Sequence, residues 1–255
     1  MTDPTREDAL DHEPDPRPQE GRPEPAERPR SGFWHGLKEI VTIAVTALVI
    51  SFLIKTFVAQ AFWIPSGSME DTLVYGDRVM VSKIQAGPMA VERGDIAVFE
   101  DPGGWLAPHR PADRGPVLDA AFRVLQFVGI APVEEGNHLI KRVVGVGGDT
   151  VACCDEDGRL TVNGHPLEED YLYPGDVPSR GDFEITVPED HIWVMGDHRS
   201  NSQDSRAHDD GTGAAGSVPR ENVVGQAFVL LFPLDHATWF RTPETYDSVP
   251  EPASP

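Results

Sequence analysis

Three short stretches carry the side chains with chemical potential. The first is Ile64-Pro65-Ser66-Gly67-Ser68-Met69-Glu70-Asp71-Thr72-Leu73. Pro65 fixes its own φ, and Gly67 permits a tight path between two serines. Such a turn holds one hydroxyl outward as a nucleophile. It also aims the neighbouring hydroxyl and a main-chain N–H at one point, as an oxyanion hole requires. Ser-Gly-Ser is equally at home in an ordinary loop, so a catalytic reading needs a base elsewhere. The second stretch, His138–Val146 (HLIKRVVGV), offers Lys141. On a strand Leu139, Lys141 and Val143 share one face. An ammonium on an apolar face is costly, and a fall of about 3 from a reference near 10.4 leaves it close to neutrality. A lysine so shifted accepts a serine proton without a histidine. The competing readings are a lysine that snorkels off a sheet edge or pairs with an acid, and one of the nine histidines as base. The third stretch, Met195–Arg206 (MGDHRSNSQDSR), is dense in short hydrogen-bonding side chains with Asp and Arg. It suits a polar network that orients a catalytic group, and also suits a solvated loop. G-x-S-x-G, H-E-x-x-H and phosphate-loop signatures are absent from the sequence.

These residues need a frame, and the spacing predicts a mainly β one. Short β-rich runs punctuated by glycine and proline lie at Arg78–Ile84, Asp95–Phe99, His138–Val146, Asp149–Ala152, Leu160–Val162, Phe183–Val187, His191–Met195 and Val223–Phe232. Pro116–Gly129 keeps apolar residues at i, i+3, i+4, i+7 and predicts one helix, packed on the sheet or lying on a membrane surface. Ahead of this body, Ile40–Ile54 (IVTIAVTALVISFLI) has no charge. The run from Ile40 to Val58 spans roughly 28 Å as a helix, close to one hydrocarbon thickness. Lys55 sits where its stem can snorkel, and Trp34 and Trp63 bracket the run. Ala59-Gln60-Ala61 has the small-x-small form of a cleavage site, but a leader this long favours retention as an anchor. Arg22, Arg28, Arg30 and Lys38 precede the span, which places the N-terminus in the cytoplasm and the body outside. The expected organisation is a disordered acidic, proline-rich cytoplasmic tail over 1–36 and an anchor over 37–59. A β-rich body over 60–235 and a loose tail over 236–255 follow.

The formal charge of −21, with only −4 of it in residues 1–33, argues against a nucleic-acid partner. The two cysteines, Cys153 and Cys154, are adjacent, so they build neither a cysteine zinc site nor a disulfide framework. Free thiols and a vicinal bridge are both open for them.

Taken in order, the stretches resemble the boxes of bacterial type I signal peptidases. IPSGSMEDTL is similar to the serine box, Gly94–Phe99 to a G-D-x-x-x-F strand, Lys141–Asp149 to the lysine box and Gly196–Arg206 to the final box. The resemblance covers residues 37–235. It implies a β body shared with the Ser/Lys autoproteases behind a single transmembrane helix. It also implies Ser68 as nucleophile, Lys141 as general base, Ser66 with the Ser68 N–H as oxyanion hole, and Ser202 orienting the lysine. Asp204 and Arg206 would brace the site, and Ile64, Pro65, Leu73 and Ile140 would line pockets for the residues before the cut. The implied partners are signal peptides of preproteins, membrane lipid and, by proximity, the export machinery. No metal or cofactor is implied. Four positions depart from the pattern: Asp71 and Gly147 stand where prolines are common, and His198 and Ser200 replace a usual Asn and Asp. An autoprotease, a Ser-His-Asp hydrolase and a non-catalytic adaptor are the alternatives.

Overall fold

The computed structural model describes residues 32–84, 90–107, 115, 118 and 137–252. The chain divides into two units, Met1–Ala44 and Val45–Pro255, with the cut inside one long helix. That helix, α1, runs from Gly32 to Phe57. It starts ahead of the expected residue 37, because no proline lies between Pro29 and Pro65 and Trp34 and Leu37 extend the apolar run. Its segment Trp34–Leu53 has a mean hydropathy of 1.9 and no buried residue, and it is long and apolar enough to cross a membrane. A helix apolar on all sides has no preferred face for a protein core, so lipid is its natural solvent.

The second unit is built from β1 (Ala59–Trp63), β2 (Arg78–Ser82), β3 (Ile96–Glu100), β4 (His138–Val146), β5 (Thr150–Cys153), β6 (Leu160–Val162), β7 (His165–Pro166), β8 (Phe183–Thr186), β9 (His191–Met195), β10 (Val218–Pro219), β11 (Val223–Phe232) and β12 (Thr238–Trp239). An antiparallel sheet follows the order β1-β2-β11-β3-β4-β9-β10, with β12 added to β11. A second sheet runs β7-β6-β5-β8. β4 and β9 have the expected bounds. The fold is therefore mainly β, as the punctuated runs predict. The helix expected over 116–129 lies outside the described residues, apart from Leu118, as does most of the N-terminal tail.

Three apolar clusters hold the body. One gathers Phe62, Ile64, Met69, Leu73, Val79 and Ile140. Another gathers Ala97, Phe99, Val143 and Val194, with Leu139 packed on it. Adjacent residues of β4 thus serve opposite sides, as strand alternation demands. The third cluster, under the smaller sheet, includes Val151, Leu160 and Trp193 and also takes in Tyr246 and Val249. Residues 236–252, expected as a loose tail, are therefore fastened to the body. Thr238–Trp239 pairs with β11, and the Tyr246 hydroxyl hydrogen-bonds that of Tyr171 at 2.9 Å. Two apolar anchors within a proline-rich segment are enough to dock it. Gly225 lets β11 run hard against β2, because a Cβ there would collide with the Ser82 carbonyl. Cys153 and Cys154 form a vicinal disulfide.

Candidate active site

The turn after β1 is held from below by apolar residues. Ile64, Met69 and Leu73 are buried, and the Leu73 N–H donates to the Met69 carbonyl at 2.7 Å. Ile64 is tied in both directions, its N–H to the Asp77 carbonyl and its carbonyl to the Gly76 N–H. With those plugs set, Ser66 comes to the surface side and Ser68 stays just beneath it. Ser66 is exposed, and Ser68 is 6% exposed. Their hydroxyls are 3.3 Å apart.

Lys141 reaches the same point from β4, where it lies opposite Ala97 of β3. Its Nζ donates to Ser68 Oγ at 2.5 Å and to the Ile140 carbonyl at 3.1 Å. Burial lowers the amine's pKa from 10.5 to about 8, against the opposing pull of Asp204 and Asp197. No carboxylate lies within ion-pairing distance of Nζ among the described residues, so little offsets the desolvation. At pH 7 roughly a tenth of the amine is then neutral.

The loop after β9 closes over this pair. The His198 N–H donates to the Ser68 carbonyl at 3.1 Å, and the Gly196 N–H to Asp204 Oδ2 at 3.0 Å. Gly196 has to be glycine, because a Cβ there would run into the Ser68 carbonyl and the Ser202 side chain. Ser202 is thus beside the nucleophile turn, but its buried Oγ has no hydrogen-bond partner of good geometry, and Lys141 is not bonded to it. Asp204 is buried, which would raise its pKa. The fork from Arg206 (Nε to Oδ1 at 2.9 Å, Nη2 to Oδ2 at 2.8 Å) more than offsets that and holds the carboxyl below its usual range. Arg206 also donates to the Arg199 carbonyl, fastening the loop to itself.

A cleft of about 480 Å³ opens beside the hydroxyls, lined by Ile64, Pro65, Ser66, Val98, Ile140 and Lys141 among others. Leu73 does not line it; it is fully buried in the apolar cluster. β9 pairs with β4 only from Arg142 onward. On that side, residues 138–141 therefore have no strand neighbour among the described residues, which leaves a free edge next to the cleft.

The bracing network is larger than the sequence suggested. Arg142, next to the lysine, forks onto buried Asp197 (Nε to Oδ1 2.8 Å, Nη2 to Oδ2 2.6 Å) and donates to the Gly94 carbonyl. Burial works against its charge, and Asp197 more than compensates, so its pKa is raised. Its guanidinium also lies 3.9 Å from the centroid of the Tyr171 ring. Thr72 Oγ1 donates to Asp197 Oδ2 at 2.5 Å, so one carboxylate ties the serine turn to the lysine strand. Arg199 pairs with Glu169 at 2.5 Å. The only sequence signal for Asp197 and Thr72 is their place inside two of the polar stretches; nothing local marks Glu169.

What the fold and this geometry define is a mainly β protein, carried behind an apolar helix, with a serine hydroxyl and a buried lysine in direct contact. The chain belongs to the signal peptidase family, peptidase S26, whose pattern matches residues 37–232. That makes it a serine endopeptidase. It is 39% identical over 228 residues to a signal peptidase I of Mycobacterium tuberculosis (strain CDC 1551 / Oshkosh), covering 81% of this chain and 76% of that protein. It is 38% identical over 230 residues to a probable signal peptidase I of Mycobacterium leprae, covering 80% and 78%. A signal peptidase I of Leptolyngbya laminosa is 35% identical over 237 residues, covering 91% and 97%.

Proposed function

We propose that this chain is a membrane-anchored endopeptidase that removes N-terminal signal peptides from exported preproteins, cutting after small residues in an Ala-x-Ala pattern through a Ser68/Lys141 dyad. The observation that carries the reading is the 2.5 Å contact between Lys141 Nζ and Ser68 Oγ, made by an amine whose pKa burial brings down to about 8. In its neutral form the amine takes the Ser68 proton as Oγ attacks the scissile carbonyl. The Ser66 hydroxyl and the Ser68 N–H stabilise the oxyanion. The ammonium returns its proton to the leaving amine, and an acyl-enzyme forms on Ser68. Water, deprotonated by the same lysine, then releases the signal peptide. Ser202, whose hydroxyl lies beside the nucleophile turn, orients the lysine in the loaded site. Asp204 and Arg206 keep that loop in place.

The substrate adds as an extended strand along the free edge of β4, with alternate side chains entering the cleft between Ile64, Pro65 and Ile140. A shallow apolar cleft favours small residues at the first and third positions before the cut. α1 crosses the membrane with the N-terminus in the cytoplasm. From Phe57 to Ser68 the chain reaches at most about 36 Å, so the serine works close to the bilayer, where signal peptides end. Ala59–Ala61 is paired with β2, so cutting there would require β1 to leave the sheet.

Incubating the full-length protein in detergent with a labelled preprotein, then sequencing the new N-terminus, tests the reading. A cut after a small-x-small site, lost in Ser68→Ala and Lys141→Ala, is expected. No cleavage by the wild type, or dependence on a histidine in place of Lys141, would overturn it.

A further inference from the structure

The serine turn contains two residues that work against a fixed geometry. Gly67 separates the two serines, and Asp71 holds φ at +84°, a left-handed conformation that a non-glycine residue keeps only when its surroundings impose it. The loop after β9 is fastened to the residues on either side of these two. Besides the Thr72–Asp197 bond, His198 grips the turn twice. Its main-chain N–H donates to the Ser68 carbonyl, and its ring Nδ1 is hydrogen-bonded to Glu70 Oε2 at 2.9 Å. The Glu70 carboxylate in turn lies across Gly67: a Cβ built there would be 3.0 Å from Glu70 Cδ and 3.1 Å from each oxygen. From the other side Tyr173 stacks on the imidazole, with centroids 3.9 Å apart and planes 11° from parallel. The Tyr173 N–H donates to the Asp197 carbonyl, so the stacking ring is fixed to the same loop.

We propose that His198 is a positioning residue that acts through Glu70. The imidazole, backed by Tyr173, presses the Glu70 carboxylate onto Gly67 and so keeps the Ser66 and Ser68 hydroxyls at the spacing Lys141 requires. The proposal rests on Ser68 being the nucleophile. The general base in this reading is Lys141, and the His198 ring contacts Glu70 and Tyr173. Its effect is geometric, and a displacement of the nucleophile by a fraction of an ångström is felt in the chemical step more than in binding.

The test is a two-residue cycle on the full-length protein, with kcat and KM for preprotein cleavage measured separately. His198→Leu should lower kcat about tenfold with KM within twofold, and Glu70→Leu should do the same. The double variant should be no worse than either single one, since both break one latch. His198→Gln, which keeps a donor for Glu70, should return kcat to within about threefold of the wild type. Unchanged kcat in His198→Leu, or losses that multiply in the double variant, overturns the latch. If the leucine variants fail to fold, the same cycle with alanine at both positions decides it. A wild type that leaves the preprotein intact counts against the proposed function itself; an active wild type with indifferent variants counts only against the latch.

Discussion

Lys141→Met should remove catalysis and, near neutral pH, make the protein more stable. The native fold holds the amine's pKa at about 8 against 10.5 for an unperturbed lysine. That difference corresponds to roughly 3 kcal/mol spent on keeping a buried ammonium. Methionine fills similar volume without the charge. It forfeits two hydrogen bonds, to Ser68 Oγ and the Ile140 carbonyl, which together contribute about 1–2 kcal/mol. The net gain at pH 7 is therefore about 1–2 kcal/mol, or several degrees in the thermal midpoint of a domain this size. Its pH dependence has a definite sign. Between pH 8 and 10.5 the unfolded wild type binds a proton that the native state does not, so wild-type stability rises with pH across that window. The advantage of the variant is then full below pH 8 and fades as pH approaches 10.5. Thermal unfolding of both proteins in the same detergent, followed by tryptophan fluorescence at pH 7 and pH 10, measures it. A variant less stable than the wild type by the same margin at both pH values would refute the reasoning, because the amine would then be a stabilising ion and not a strained base.

Other perturbations follow from the same geometry. Gly196→Ala drives a methyl group into the Ser68 carbonyl and Ser202, so preprotein cleavage should fall at least roughly a hundredfold, while glycine-to-alanine change at exposed Gly181 is silent. Arg142→Met leaves Asp197 buried without its partner and should cost about 3–5 kcal/mol in denaturant unfolding, with part of the loss recovered by adding Asp197→Leu. The rate of cleavage at limiting substrate should climb about tenfold per pH unit below 8 and level off above it, since only the neutral amine is competent. A profile that instead levels off near pH 6.5 would point to an imidazole base.

Much of the frame was legible because strand alternation and turn residues are local signals. β4 is the clearest case: HLIKRVVGV alternates apolar residues to its two faces, and the lysine stands out as the ionisable group between Leu139 and Val143. β1 was missed because Ala59–Trp63 reads as the frayed end of the apolar run, and only its pairing with β2 makes it a strand. The short β7, β10 and β12 are defined by their neighbours and have no pattern of their own. The docking of Tyr246 and Val249 depends on a hydrophobic recess assembled from distant segments. Leu73 was expected at a pocket wall, yet the turn brings Met69 and Leu73 inward together as the plug beneath the serines. The Arg142–Asp197 pair joins residues far apart in the chain. Local patterning names neither partner for the other, although both residues stand in stretches that composition alone marks as polar and unusual.

Catalysis by this dyad turns on whether the Lys141 amine sheds its proton inside the fold. The chain has four lysines, Lys38, Lys55, Lys83 and Lys141, so selective ¹³C labelling at lysine Cε yields a spectrum in which each signal can be assigned by substitution. Titrated in detergent from pH 6 to 11, the Lys141 signal, assigned by its loss in Lys141→Ala, should shift with a midpoint at about 8. A Lys141 signal that remains fully protonated beyond pH 10 would contradict the account, because Ser68 would then face an ammonium with no capacity to take its proton.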